Sequence, residues 1–534
     1  MTCFPLFNEN EPFLCLRLGL LRKFAGNNEI TARIPFFLFQ RTTMYNYYVI
    51  ALLVAYFLVL WGVSFFTSRK ADNQSFFKAN QSAPWYLVAF GMIGTSLSGV
   101  TFVSVPGTVG NLGANGAPVG MVYLQVVIGY FLGYFAVAYI LLPLYYRLNL
   151  TSIYDYLRQR LGMVSYKTGA LFFIVSRTLG ATLRLFLVIN VLQVFVLEAL
   201  HVPFWLTSVI ILLMILVYTY KGGVKTIVWT DTLQTLFMLL ALVVTVGWIM
   251  NHLNLGWSDA FAAMDEKGFF KFFQTDVNDK KFFLKQIIGG AFITITMTGL
   301  DQEMMQKNIS VKTLGDSQKN MVSFSVILVL VNFLFLLLGG LLYVYAAQSN
   351  IALKGDDIFP GMAMQVMPPF ISFLFIIGLI SALFPSADGA ITALTSSFCL
   401  DILGIYRDEK RTEEERTKTR KRVHLAFAGV FLLMVFFFKW LNNKSIIDIL
   451  LDIAGYTYGP LLGLFAFGIL TTRAVKDRWV PVAALLGPLV SIFLDKWLVH
   501  YLGGYKFGVE LLVVNGLITF VGMWVLSKPA SAVK

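Results

Sequence analysis

Cysteine is scarce. Cys3, Cys15 and Cys399 are the only three in 534 residues, too few for a disulfide framework. The four histidines are scattered and form no metal-ligand spacing. No G-x-x-x-x-G-K-[ST] segment occurs, so nothing points to a phosphate-cradling loop or to ATP hydrolysis. No nucleophile–base pair stands out either, which argues against an enzyme. Charge is also sparse: Asp, Glu, Lys and Arg make up 13% of the chain, against roughly 25% in a soluble domain with a surface to wet. What remains is a protein whose work is driven by a gradient rather than by bond chemistry.

In place of charge there is apolar length. Hydrophobic residues reach 57% and aromatics 15%, with a mean hydropathy of +0.72. Runs of about 20 apolar residues suit a bilayer core, and abundant Trp, Tyr and Phe suit its interfaces. The fold class expected is an all-α polytopic membrane protein with about thirteen transmembrane helices. Their approximate limits are 45–66, 85–109, 120–143, 168–198, 203–218, 227–250, 284–305, 321–347, 361–400, 423–440, 445–471, 478–499 and 509–527. The 361–400 stretch is too long for one straight crossing, so it should tilt or include a surface helix. Residues 1–43 lack the ordered regions of a signal peptide and read as a non-native or disordered extension ahead of Met44. Residues 44–534 then form one transmembrane domain.

The formal net charge of +13 raises nucleic-acid binding. It is rejected, because the basic residues sit in short loops rather than on one face of a domain. They alternate: Arg69, Lys70 and Lys78; then Arg147, Arg158, Arg160 and Lys167; then Lys221 and Lys225; then Lys307, Lys312 and Lys319; and the run from Arg407 to Arg422. By the positive-inside rule these loops are cytoplasmic, with the N-terminus outside and the C-terminus inside. Residues 251–283 dissent, carrying Lys267, Lys271, Lys280 and Lys281 on the expected outer side.

Two spans are rich in Gly, Ser and Thr: GTSLSGVTFVSVPG (Gly94 to Gly107) and GGAFITITMTGLDQ (Gly289 to Gln302). Lipid penalises unpaired backbone, so such runs mark either small-residue packing or helices interrupted near the midplane to bind substrate or ion. They lie five spans apart, as corresponding first helices of two inverted repeats would, at approximately 85–250 and 284–471. Ionisable residues inside spans are the next signal: Asp231, Asp388, and Arg177 with Arg184 seven residues on, hence on one helical face. A carboxylate among hydroxyls suits a small alkali cation, and a buried guanidinium suits a substrate carboxylate. The competing readings are that Arg184 bridges to Asp231 or Asp388, and that Arg177 snorkels.

At these residues the chain resembles the sodium/solute symporter family. KGGVKTIVWTDTLQT (Lys221 to Thr235) resembles its glycine-pair and Trp-Thr-Asp stretch. LDQEMMQKNISVK (Leu300 to Lys312) resembles its Asp-Gln…Gln-Arg segment, and SALFPSADGAITALTSSFCLDI its Ser-Thr-Ala-Asp-Ser signature, ending on Asp401. YTYGPLLGLFAFGIL resembles its tenth core helix. The resemblance implies a LeuT-type core of two inverted five-helix repeats with broken first helices, one helix before it and two after. It also implies a co-transported sodium ion held by carbonyls of Gly94, Leu97 and Ala382 and the hydroxyl of Ser386. The family's other hydroxyl falls on Pro385, which has none, so the Pro385 carbonyl or a nearby hydroxyl would substitute. Members with a second sodium place an acid at Asp231 and hydroxyls at Asp388 and Gly389; here Asp388 offers charge and Gly389 nothing. By the pattern of the family's sialic-acid branch, the substrate would meet Ser96, Ser98, Thr101, Gln125 and Arg184.

The function this implies is sodium-coupled import of a small organic solute by alternating access, a carboxylated one such as sialic acid. A neutral sugar or an amino acid is the alternative substrate. A solute sensor and a channel are the alternatives from other classes, although a sensor would continue into a soluble domain. The expected setting is the bilayer of a bacterial inner membrane, with a monomer sufficient for transport.

Overall fold

The computed structural model describes residues 33–67, 76, 83–113, 116–441, 446–497, 505 and 507–529. Residues 1–32, and with them most of the expected extension, lie outside this set. The first helix, α1 (Arg33–Thr67), runs through Met44. A first broken pair follows, α2 (Trp85–Ser96) and α3 (Gly99–Thr108), bent by 57°. Then come α4 (Leu124–Arg147), α5 (Met163–Leu197), α6 (Phe204–Tyr220) and α7 (Thr226–His252). The second broken pair is α8 (Phe283–Gly299) with α9 (Gln302–Ile309), bent by 65°. It is followed by α10 (Leu314–Gln348), α11 (Pro369–Ile402) and α12 (Glu413–Leu441). Helices α13 (Ile446–Thr457) and α14 (Gly459–Leu470) form a third, shallower bend of 42°. The described chain closes with α15 (Val480–Lys496) and α16 (Leu511–Val525), and a two-residue antiparallel pair, β1 (Ala474–Val475) with β2 (Ser527–Lys528), ties their ends.

Eight helices are long and apolar enough to span a bilayer, the three bent pairs qualify as pairs, and α6 and α16 are shorter apolar helices. The breaks have local causes. Leu97 leaves helical geometry (φ −87°, ψ 67°) and Ser98 is extended, ahead of a segment that starts on glycine. Asp301, extended, caps α9: its Oδ1 accepts from the N–H groups of Glu303 (2.9 Å) and Met304 (3.2 Å), satisfying two donors a new helix leaves open. The turn between α6 and α7 passes through Gly223 at φ 55°, where an added Cβ would strike Phe76; only glycine meets both demands. The long 361–400 stretch is not one straight helix: a short helical segment (Ile358–Val366) is divided from α11 at Pro368, and that segment is largely buried, where a surface helix was one of the two expectations.

The core forms where broken and continuous helices meet. α11 packs along α6 and α7 and against α2, α3 and α5; α8 packs along α4. Gly129, Gly133 and Gly290 allow the last contact, since a Cβ on any of them would enter the facing backbone. This is the close approach small residues permit between membrane helices.

Candidate substrate and cation site

The two breaks treat their freed carbonyls differently. At the second, the carbonyl of Gly299 accepts from the Tyr145 hydroxyl (2.7 Å) and that of Leu300 from Tyr154 (2.9 Å). At the first, no hydrogen bond among the described residues reaches the carbonyls of Gly94 or Leu97. Buried carbonyls left open in this way invite a cation. The opposing wall is α11, where an added Cβ on Gly94 would lie 3.6 Å from the Pro385 ring. Ala382, Pro385 and Ser386 are fully buried there. The Ser386 hydroxyl donates to the Leu383 carbonyl (2.8 Å), so its lone pairs remain free to accept. Pro385 has no N–H, and so withholds the helical donor from the Ser381 carbonyl one turn back.

Beside this break lies a cavity of about 100 Å³. Four of the five expected substrate residues, Ser96, Ser98, Thr101 and Arg184, line it. Gln125 does not. Its amide donates to the carbonyls of Val122 (3.0 Å) and Lys281 (3.2 Å) and accepts from Gln274 N–H (3.2 Å), pinning the 274–281 segment to α4. Gln125, expected at the substrate, thus lies on α4 outside this lining, its amide already engaged. Sequence reasoning missed Tyr123 just before α4, Tyr130 and Tyr134 within it, Thr294 and Thr298 of α8, and Asn332 of α10, all in the lining. The i, i+4 threonines and the i, i+7, i+11 tyrosines were visible as spacing, but small polar residues and aromatics at such spacing also serve packing.

Arg177 and Arg184 both face the cavity, yet their partners differ. Arg177 forms an ion pair with Glu303, and its other terminal nitrogen lies 3.7 Å from Asp301. Arg184 is 8% exposed, enters no ion pair among the described residues, and leaves its Nε without a partner. The bridge to Asp231 or Asp388 is therefore absent. Asp388 instead accepts from the Tyr218 hydroxyl (2.7 Å).

Asp231 is engaged by Lys307, whose Nζ lies 2.7 Å from its Oδ2, 2.6 Å from Thr95 Oγ1 and 3.4 Å from Glu303 Oε1. Lys307 was read from sequence as one of three loop charges; at 3% exposed it is a core residue. The signal that could have placed it is Glu303–Lys307 itself, an i, i+4 pair directly after a helix break. Glu303 also explains Gly389: an added Cβ there would run into its carboxylate, and Arg177 and Lys307 hold that carboxylate in place. Gly389→Ala is expected to cost about 1–3 kcal/mol through overpacking, read as a lower thermal midpoint of the purified protein; an unchanged midpoint would sink this packing account.

With this geometry in view, comparison with known proteins is informative. Residues 76–478 match the profile described as the sodium:solute symporter family. The chain is 24% identical over 447 residues to the sodium/sialic acid symporter SiaT of Proteus mirabilis, covering 82% of this chain and 86% of that one. It is 26% identical over 440 residues to the sodium-coupled monocarboxylate transporter 1 of Mus musculus, covering 80% and 68%. The fold matches that of a Na+-coupled sialic acid symporter solved in a substrate-bound outward-open state, with a TM-score of 0.75 at 21% identity over 91% of this chain and 99% of that one. It also matches Mhp1, a nucleobase-cation-symport-1 family transporter in a closed conformation, with a TM-score of 0.52 at 12% identity over 85% and 94%. The expected LeuT-type architecture is thus present.

Proposed function

The chain belongs to the sodium:solute symporter family, and from that premise we propose that it imports a small carboxylated solute together with sodium bound where α2 and α3 break against α11. The observation that carries the substrate class is Arg184, a buried guanidinium with an unpartnered Nε on the cavity wall. Burying a cation without a counter-ion is costly, and a substrate carboxylate would supply the missing charge in bidentate geometry. Hydroxyls of Ser98, Thr101 and Thr298 on the same wall suit a polyhydroxylated acid, and relatives named for sialic acid and for monocarboxylates carry acids. The outer lysines that dissented from the charge pattern fit as well. Lys280 and Lys281, with Asp452, line a second cavity of about 300 Å³ that shares Tyr123 and Leu451 with the first, a basic approach for an anion.

Sodium entering at Gly94, Leu97, Ala382, Pro385 and Ser386 would join the broken helix to α11 and complete the cavity beside it. The ion drives uptake because it stabilises the substrate-competent state more than the empty one. No bond is made or broken, so the protein is a transporter and no enzyme. In this reading it makes thirteen crossings of a bacterial cytoplasmic membrane, N-terminus outside and C-terminus inside, and one chain contains the whole pathway.

The test is uptake of labelled sialic acid into proteoliposomes, beside a sugar, proline and pantothenate, with and without an inward sodium gradient. Sodium-driven accumulation of the acid supports the reading; accumulation of a neutral solute alone rejects the carboxylate. For the ion, Ser386→Ala should raise the sodium concentration giving half-maximal uptake roughly tenfold, the equivalent of about 1.4 kcal/mol for one oxygen ligand. An unchanged sodium dependence would remove Ser386 from the site.

A further inference from the structure

Lys307 sits where a second cation would have to sit. Its ammonium lies within 2.7 Å of both Asp231 Oδ2 and Thr95 Oγ1, with Glu303 Oε1 at 3.4 Å. These groups come from α7, α2 and α9, and each is nearly or fully buried. An ammonium is a compact point charge on a flexible stem, unlike the planar guanidinium fork. The segment here otherwise resembles a family pattern that ends in arginine. Asp231 Oδ1 has no hydrogen-bond partner, so with Lys307 removed four oxygens would remain to receive a hard cation: both oxygens of Asp231, Thr95 Oγ1 and Glu303 Oε1. Asp388, the other acid of the expected second site, bonds to Tyr218 and would add its charge nearby.

We propose that Lys307 is a tethered cation that permanently fills the Asp231–Thr95 site, so that this chain binds one sodium ion where it would otherwise bind two. This rests on the sodium-symport reading and deepens it by assigning the residue that sets the ion count. Loss of the ammonium should then open the site to free sodium, and a second ion should appear in the binding stoichiometry.

The experiment is equilibrium binding of ²²Na⁺ to the purified full-length protein, which requires no knowledge of the solute. Wild type is expected to bind one ion per chain, Lys307→Met and Lys307→Gln two, and Lys307→Met combined with Asp231→Asn one again. Two ions bound by wild type, or one by a monodisperse Lys307→Met protein, overturns the proposal. Should the charge-removing variants fail to fold, the wild-type count decides alone, one ion supporting it and two overturning it. Wild type that binds no sodium overturns the symport reading along with it, an outcome distinct from a wrong count.

Discussion

Arg184→Ala should yield a folded protein that has lost roughly 100-fold in transport efficiency for a carboxylated solute, about 3 kcal/mol of charge-assisted hydrogen bonding. The reasoning is local. Arg184 is buried on α5, faces the cavity and is bonded to no acid of the protein among the described residues. Its removal therefore strands no internal carboxylate, and it relieves a desolvated charge in the empty state. Lys in its place keeps the charge but loses the planar fork, so Arg184→Lys should fall between wild type and alanine. The measurement is initial uptake rate against solute concentration in proteoliposomes, with the thermal midpoint as a control on folding. Unimpaired uptake by Arg184→Ala would eliminate the residue as the substrate's counter-ion.

Seven residues earlier on the same helix, the opposite outcome is expected. Arg177→Ala should destabilise the protein by about 3–5 kcal/mol, because it leaves Glu303 and Asp301 as buried acids without their guanidinium. Glu303 would retain only Lys307 at 3.4 Å, and that ammonium already serves Asp231. The effect should appear as poor recovery of monodisperse protein and a sharply lower thermal midpoint. Replacing Arg177 and its nearer partner by apolar groups, as in Arg177→Met with Glu303→Met, should be milder than Arg177→Ala, since Glu303 is then not stranded and only Asp301, which keeps two backbone donors, loses its guanidinium. A stable Arg177→Ala protein that fails only in uptake would instead make Arg177 a second substrate contact.

The contrast between these two arginines shows where sequence reasoning stops. Both lie inside an apolar span at a spacing that puts them on one face, and both do face the cavity. Their spacing carried no information about partners, because Glu303 lies 126 residues from Arg177 in the chain. The place of Gln125 outside the lining was hidden for a related reason. Which face of α4 meets the cavity depends on how α4 rolls against α8, a contact governed by Gly129, Gly133 and Gly290. Lys307 was miscounted as a loop charge because hydropathy sees a basic residue near the end of an apolar run. It does not see that the run has already bent by 65° at Leu300 and Asp301, carrying α9 back into the core.

By itself the sequence determined that this is an apolar, charge-poor chain of membrane helices. It also determined that two of them, five spans apart, break, and that the family is one of sodium symporters. Those properties are written in local composition: apolar runs matched to bilayer thickness, and glycine and hydroxyl clusters where a continuous helix would prefer leucine. Only the tertiary structure decided which buried charges satisfy one another and which are left for a ligand. Lys307 neutralises Asp231 from 76 residues away and reaches Thr95 from 212, while Arg184 has no acid of its own among the described residues. In a medium without water, a buried charge is defined by its nearest counter-charge, and that neighbour is set by packing across the chain, not by adjacency along it.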